Sequence, residues 1–117
     1  MASPSAPPAV PWRTVMRERH VPAPRTATWS ALLRLLGPDA DDLSIEPPWR
    51  HVRRRTVPGI DRCETTVTVR DDGAECHLAW SAGLTAEADD PVAGAVLADL
   101  AAEGERLLAA AARAANP

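Results

Sequence analysis

Lysine, phenylalanine and tyrosine are missing from this chain of 117 residues, and cysteine occurs only twice. Each gap removes a class of explanation. Without Lys, the 13 Arg stand beside abundant Ala and Pro, a composition of GC-rich coding rather than of selection for phosphate binding. Without Phe or Tyr, the large side chains of any core must come from the four Trp, filled in by Leu and Val. Nucleic-acid surfaces that stack bases interleave aromatic and basic residues. The basic stretches here lack that pattern, so no nucleic-acid partner is expected. No run approaches the ~20 apolar residues of a membrane span. The opening MASPSAPPAVP has neither the charged start nor the apolar run of a signal peptide. A cytoplasmic location is the expectation, and there two cysteines are read as free thiols rather than a bridge.

What is present is enough for one core and no more. The apolar share of 45% excludes wholesale disorder. Charge is uneven: residues 1–60 hold nine Arg against five acids, and residues 61–117 hold four Arg against eleven. Two halves of one small sheet can pair such charges across strands.

Residues 1–11, with four prolines, read as a disordered Pro/Ala/Ser tail, leaving 12–117 as a single domain. Trp12, Thr14 and Met16 alternate with Arg13, Val15 and Arg17, which suggests a half-exposed strand to Val21. Pro24 suits a first helical position, and Trp29, Leu32, Leu33 and Leu36 form one stripe of a helix stopped by Gly37-Pro38. Asp39, Asp41 and Asp42 read as an acidic loop. LSIE is a short strand interrupted by Pro47-Pro48, and WRHVRRRTV is an edge or bulged strand. At the C-terminal end, Asp89 or Asp90 caps and Pro91 begins a long helix to about residue 115. Its apolar face is Val96, Leu97, Leu100, Gly104, Leu107, Leu108 and Ala111, and it needs a sheet to lie on.

The stretch DRCETTVTVRDDGAECHLAW holds both cysteines and His77. Asp72-Gly73 reads as a type I′ hairpin turn, which sets Val69 opposite Cys76, Val67 opposite Leu78 and Thr65 opposite Trp80. Parity puts Cys63, Thr65, Val67, Val69, Cys76, Leu78 and Trp80 on a core face and His77 on the other. Cys63 and Cys76 then lie on the order of 20 Å apart along the sheet, too far for a disulfide. Cys76 and His77 point to opposite faces, so they form neither a catalytic pair nor a metal site.

A strand, the segment Val21-Pro22-Ala23-Pro24 leading into a helix with Trp29 and Leu32, a late hairpin ending in a tryptophan, and a long C-terminal amphipathic helix together resemble the START-like superfamily, also called SRPBCC. It includes polyketide cyclase/dehydrase and lipid-transport proteins. The resemblance implies an α+β helix-grip fold: a curved antiparallel sheet around the C-terminal helix, with an apolar cavity between them. Family members usually have seven strands and about five are legible here, which makes this a shortened member.

On that reading Trp29, Val67, Cys76, Leu78, Trp80, Leu100, Gly104 and Leu107 lie along the space between sheet and helix, as core or as the wall of a ligand pocket. Gly104 costs about 1 kcal/mol of helix propensity against Ala, so it marks a close approach to the sheet or a kink. Glu18 and His20 share strand parity with Trp12 and Met16. If they project inward they are candidates for acid and base work, as are His51 and the arginines Arg53, Arg54 and Arg55 beside it. No two of Cys63, Cys76, His20, His51 and His77 show metal-ligand spacing, and there is no phosphate loop or nucleophile motif. Neither a metal nor a cofactor is expected. Three functions fit: binding of a small hydrophobic or aromatic molecule, a polyketide cyclase or dehydratase, and a cavity-less structural or interaction module.

Overall fold

The computed structural model describes residues 11–87 and 89–116, so all but the last residue of the expected tail lies outside the described residues. Five strands and two helices follow in the order β1 (Trp12–Val21), α1 (Arg25–Leu36), β2 (Asp42–Glu46), β3 (Arg50–Arg54), β4 (Cys63–Asp72), β5 (Glu75–Thr85) and α2 (Pro91–Ala115). The strands form one antiparallel sheet in the order β1-β5-β4-β3-β2. Both helices pack on its inner face: α2 against β1 and β5, and α1 against β4, β5 and α2.

Local chemistry explains the boundaries. Pro24 is the N-cap of α1 rather than its first helical residue, because its extended backbone lets its carbonyl accept from Thr28 N at 3.1 Å. Gly37, at φ +66°, takes the left-handed turn that ends the helix, and its N–H reaches Leu33 O at 2.9 Å. Pro47-Pro48 is a cis bond in the β2–β3 turn, closed by Trp49 N to Glu46 O at 2.9 Å. For α2, the Asp90 side chain accepts from Val92 N at 2.9 Å, with Pro91 in the first turn.

The hairpin between β4 and β5 differs from the sequence reading. Its register pairs Asp72 with Glu75, Val69 with Leu78, Val67 with Trp80 and Cys63 with Leu84. The central turn residues are therefore Gly73 and Ala74. Gly73 alone has positive φ, at +73°, as in a type II′ turn, which asks for Gly only at its first central position. The partner of each residue moves by two positions, and an even shift keeps every side chain on its face. Val67, Val69, Cys76, Leu78 and Trp80 are all buried, as are Cys63 and Leu84. Cys63 and Cys76 are free thiols.

The charge asymmetry is resolved between sheet and helix as well as between strands. Arg17 on β1 bonds Glu105 at 2.8 Å, and Arg55 grips both carboxylate oxygens of Glu103 at 2.6 and 3.0 Å. These ties hold α2 down on both sides of Trp80. At the centre, a Cβ on Gly104 would lie 2.6 Å from Trp80 Cε2 and closer still to Cδ2 and Cε3. The missing methyl is what lets the indole lie against the helix backbone.

Two outcomes follow. Gly104→Ala should lower stability by about 1–3 kcal/mol through overpacking despite its helix-propensity gain. In a Trp80→Leu background the same substitution should become neutral or stabilising. Thermal denaturation of the four proteins of this cycle measures both signs. Burial pushes the Cys63 thiol up, and the Cys76 thiol too, against the opposing hydrogen bond to Thr28. A disulfide reagent at mildly alkaline pH should therefore modify neither cysteine until denaturant is added; rapid labelling of the native protein would contradict their burial.

Candidate functional site

Because α2 lies over β1 and β5, the inner face toward β3 is left partly uncovered. A cavity of about 300 Å³ fills that gap. Its floor comes from three adjacent strands: His51 on β3 is opposite Val67 on β4, which is opposite Trp80 on β5, and Thr65 is opposite Arg53. Residues directly opposite in a sheet share a face, so all five point inward. His51, Thr65, Val67 and Trp80 are buried. Leu36 at the end of α1 and Leu107 and Glu103 on α2 complete the walls, with Asp39, Asp41, Arg54, Arg55 and Thr56 toward the more exposed side.

The wall at β2 is held by an ionic clamp. Asp42 is opposite Arg53, yet Ser44 is opposite Val52, so β2 carries a bulge between Asp42 and Ser44. That extra residue reverses the parity of the strand and turns Asp42 inward. Arg53 Nε donates to Asp42 Oδ1 at 2.6 Å. Its NH1 and NH2 groups donate to Leu36 O at 3.2 Å and Gly37 O at 2.7 Å. One guanidinium thus joins the sheet edge to the carbonyls left open at the end of α1. His51 Nε2 is 3.2 Å from the same Asp42 Oδ1. The Arg53 hydrogen bond, against a smaller opposing effect of burial, holds the Asp42 carboxyl below its ordinary value, and the nearby His51 and Arg53 charges act in the same direction.

Of the residues singled out from sequence, Val67, Trp80, Leu107, His51, Arg53, Arg54 and Arg55 line this cavity. Trp29, Cys76, Leu78, Leu100 and Gly104 are buried behind it in the core instead. Cys76 there donates to Thr28 Oγ1 at 3.2 Å. Glu18 and His20 do share a face with Trp12 and Met16, but it is the outer one. Arg17, not Glu18, is opposite the inward Trp80. On that outer face His20 Nε2 is 2.8 Å from Glu75 Oε2, and Glu18 Oε2 is 3.6 Å from His77 Nε2; His20 and Glu18 are about half exposed. The inward projection considered for Glu18 and His20 is therefore corrected: β1 turns its arginines toward the acids of α2. Asp42, Thr65, Glu103 and Leu36 were not singled out from sequence. Thr65 was legible as an inward position, whereas Asp42 depends on a bulge that its acidic neighbours conceal.

No protein-family model and no curated protein matches this chain. Solved structures do. The crystal structure of CalU16 from Micromonospora echinospora superposes with a TM-score of 0.68 at 17% identity, covering 91% of this chain and 78% of that one. Ara h 8.0201 gives 0.66 at 8% identity, over 90% and 98% of the two chains. The di-domain ARO/CYC BexL from the BE-7585A biosynthetic pathway gives 0.60 at 14% identity, covering 90% of this chain and 48% of that one. Together with the five-stranded sheet and its long C-terminal helix, these likenesses define a START-like, helix-grip fold. Among the described residues no helix is long and apolar enough to cross a membrane, and no group of three or more His, Cys, Asp or Glu is arranged to hold a metal ion.

Asp42→Asn should lower stability at neutral pH by roughly 1.5–3 kcal/mol, since it weakens a charge-assisted hydrogen bond to a largely buried Arg. The sign of the pH effect follows from the depressed carboxyl. Stabilisation by Asp42 is fully present above its ordinary value of 3.8 and is lost as pH falls through its lower folded value. Urea denaturation at neutral pH and at successively lower pH below that value should show the gap between wild type and variant narrowing.

Proposed function

We propose that this protein binds a small hydrophobic or aromatic molecule in the cavity between the sheet and α2. The observation that carries this reading is the composition of that cavity. Val67, Trp80, Leu36 and Leu107 supply apolar surface, and a few polar groups gather at His51 and Thr65. Small-molecule sites are built this way, with an apolar lining and a small number of placed polar groups. The volume is at the lower end for such sites, in keeping with a sheet of five strands, and it favours a ligand of one to three rings over a long lipid. A cavity-less interaction module has less support, because the space is there and is walled from several elements.

A second reading, a polyketide cyclase or dehydratase, is favoured by one observation. His51, with the Asp42 carboxylate beside its ring, is on the cavity floor, where a base would meet an enolisable substrate. The likeness to the ARO/CYC protein BexL is one of fold, and fold alone does not carry an activity.

The test is a thermal-shift series with fused-ring aromatics, short aromatic polyketides and fatty acids. A ligand present at a hundred times its Kd should add about 2.7 kcal/mol, a rise of several degrees in Tm for a domain of this size. Leu107→Trp fills the cavity from a partly buried helix position and should weaken binding at least tenfold while the protein stays folded. Unchanged Tm with every compound, or equal binding by Leu107→Trp, would count against the proposal.

A further inference from the structure

Most charged groups around the cavity are already paired within the protein. Arg53 is committed to Asp42 and to the carbonyls of Leu36 and Gly37, and Arg55 is committed to Glu103. Two polar side chains on the floor are different. His51 is 2% exposed and Thr65 7% exposed, and they are diagonal neighbours across β3 and β4 on the inner face. Among the described residues no fully buried side-chain nitrogen or oxygen lacks a hydrogen-bond partner. Thr65 Oγ1 and His51 Nδ1 have no protein partner there, so they open on the cavity that both residues line.

The clamp decides which way His51 can bond. Asp42 is ionised beside Arg53, and an ionised carboxylate only accepts hydrogen bonds. The ring nitrogen facing it, Nε2 at 3.2 Å, therefore carries the proton. In a neutral imidazole the other nitrogen is then an acceptor. Nδ1 needs a donor from the cavity, while the Thr65 hydroxyl can donate to the same ligand atom. A hydroxyl satisfies both at once. A carboxylate, a carbonyl or an ether brings no proton for Nδ1.

We infer that the cavity recognises a planar apolar molecule through a phenolic or enolic hydroxyl, whose proton points to His51 Nδ1 and whose oxygen accepts from Thr65 Oγ1. The ring system rests on Val67, Trp80 and Leu107. This assignment rests on the ligand-binding reading above and names the chemistry of its polar end. It requires no bond to form or break.

Four probes separate the cases: 2-naphthol, 2-methoxynaphthalene, naphthalene and 2-naphthoate, titrated by calorimetry into the full chain near about pH 8, where ordinary imidazoles are neutral. The naphthol should bind roughly five- to twentyfold more tightly than the ether and the hydrocarbon. Thr65→Val, which keeps the shape of the side chain, should reduce that preference, and His51→Leu should abolish it while naphthalene still binds within about threefold of wild type. Equal binding of naphthol and naphthalene would overturn this inference and leave the ligand-binding reading standing. Tightest binding by the naphthoate would overturn it in favour of an anion site. Binding of none of the four would remove the reading beneath it as well. If His51→Leu does not fold, Thr65→Val and the wild-type series decide the matter.

Discussion

The contact between Gly104 and the Trp80 indole fixes the depth at which α2 lies on the sheet. A methyl at that position would occupy the space of the ring, so the helix would have to rise or the indole would have to turn. Both would be expensive. Trp80 is 2% exposed and sits between Val67 and Arg17 in the sheet, while α2 is tied on either side through Arg17–Glu105 and Arg55–Glu103. Close packing leaves no slack to absorb a displaced ring. The same indole that seats the helix also walls the cavity, so the seating of α2 and the shape of the site depend on one side chain.

A sheet shortened to five strands leaves the problem of closing the side where the usual additional strands would continue. Here an ionic clamp supplies part of that closure. The β2 bulge turns Asp42 inward, Arg53 joins it to the end of α1, and Gly37 provides a backbone that exposes its carbonyl to the guanidinium. Partly buried charges cost desolvation unless their hydrogen bonds are met. Arg53 meets its own with three acceptors, one of them an ionised carboxylate. The second effect of this arrangement is electrostatic: the carboxylate held by Arg53 also fixes the tautomer of His51. Structural closure and ligand chemistry thus share one residue, Asp42.

Much of this fold was legible in the sequence because its signals are local. The stripe Trp29, Leu32, Leu33 and Leu36, the Asp90-Pro91 start of α2 and the alternation on both sides of Gly73 each follow from a single period or turn. The hairpin register missed by two because a glycine can serve either of two turn types, and the faces survived because the error was even. Gly104 stood out as an unfavoured helix residue, and its partner could be guessed but not named. The site was less readable. On β1, parity alone cannot say which face is inner, and the inward arginines become sensible only once Glu105 on α2 is seen opposite them. Asp42 was hidden for a different reason: a bulge inverts the alternation that sequence reading relies on.

The central claim is that the cavity bounded by His51, Thr65, Val67, Trp80 and Leu107 is where a small aromatic molecule is held. Intermolecular nuclear Overhauser effects between a bound fused-ring phenol and the protein test it most directly. The account requires cross-peaks from the ligand ring protons to the indole of Trp80 and to the methyl groups of Val67 and Leu107. Cross-peaks instead to Trp12 and Met16, on the outer face of the sheet, would contradict it.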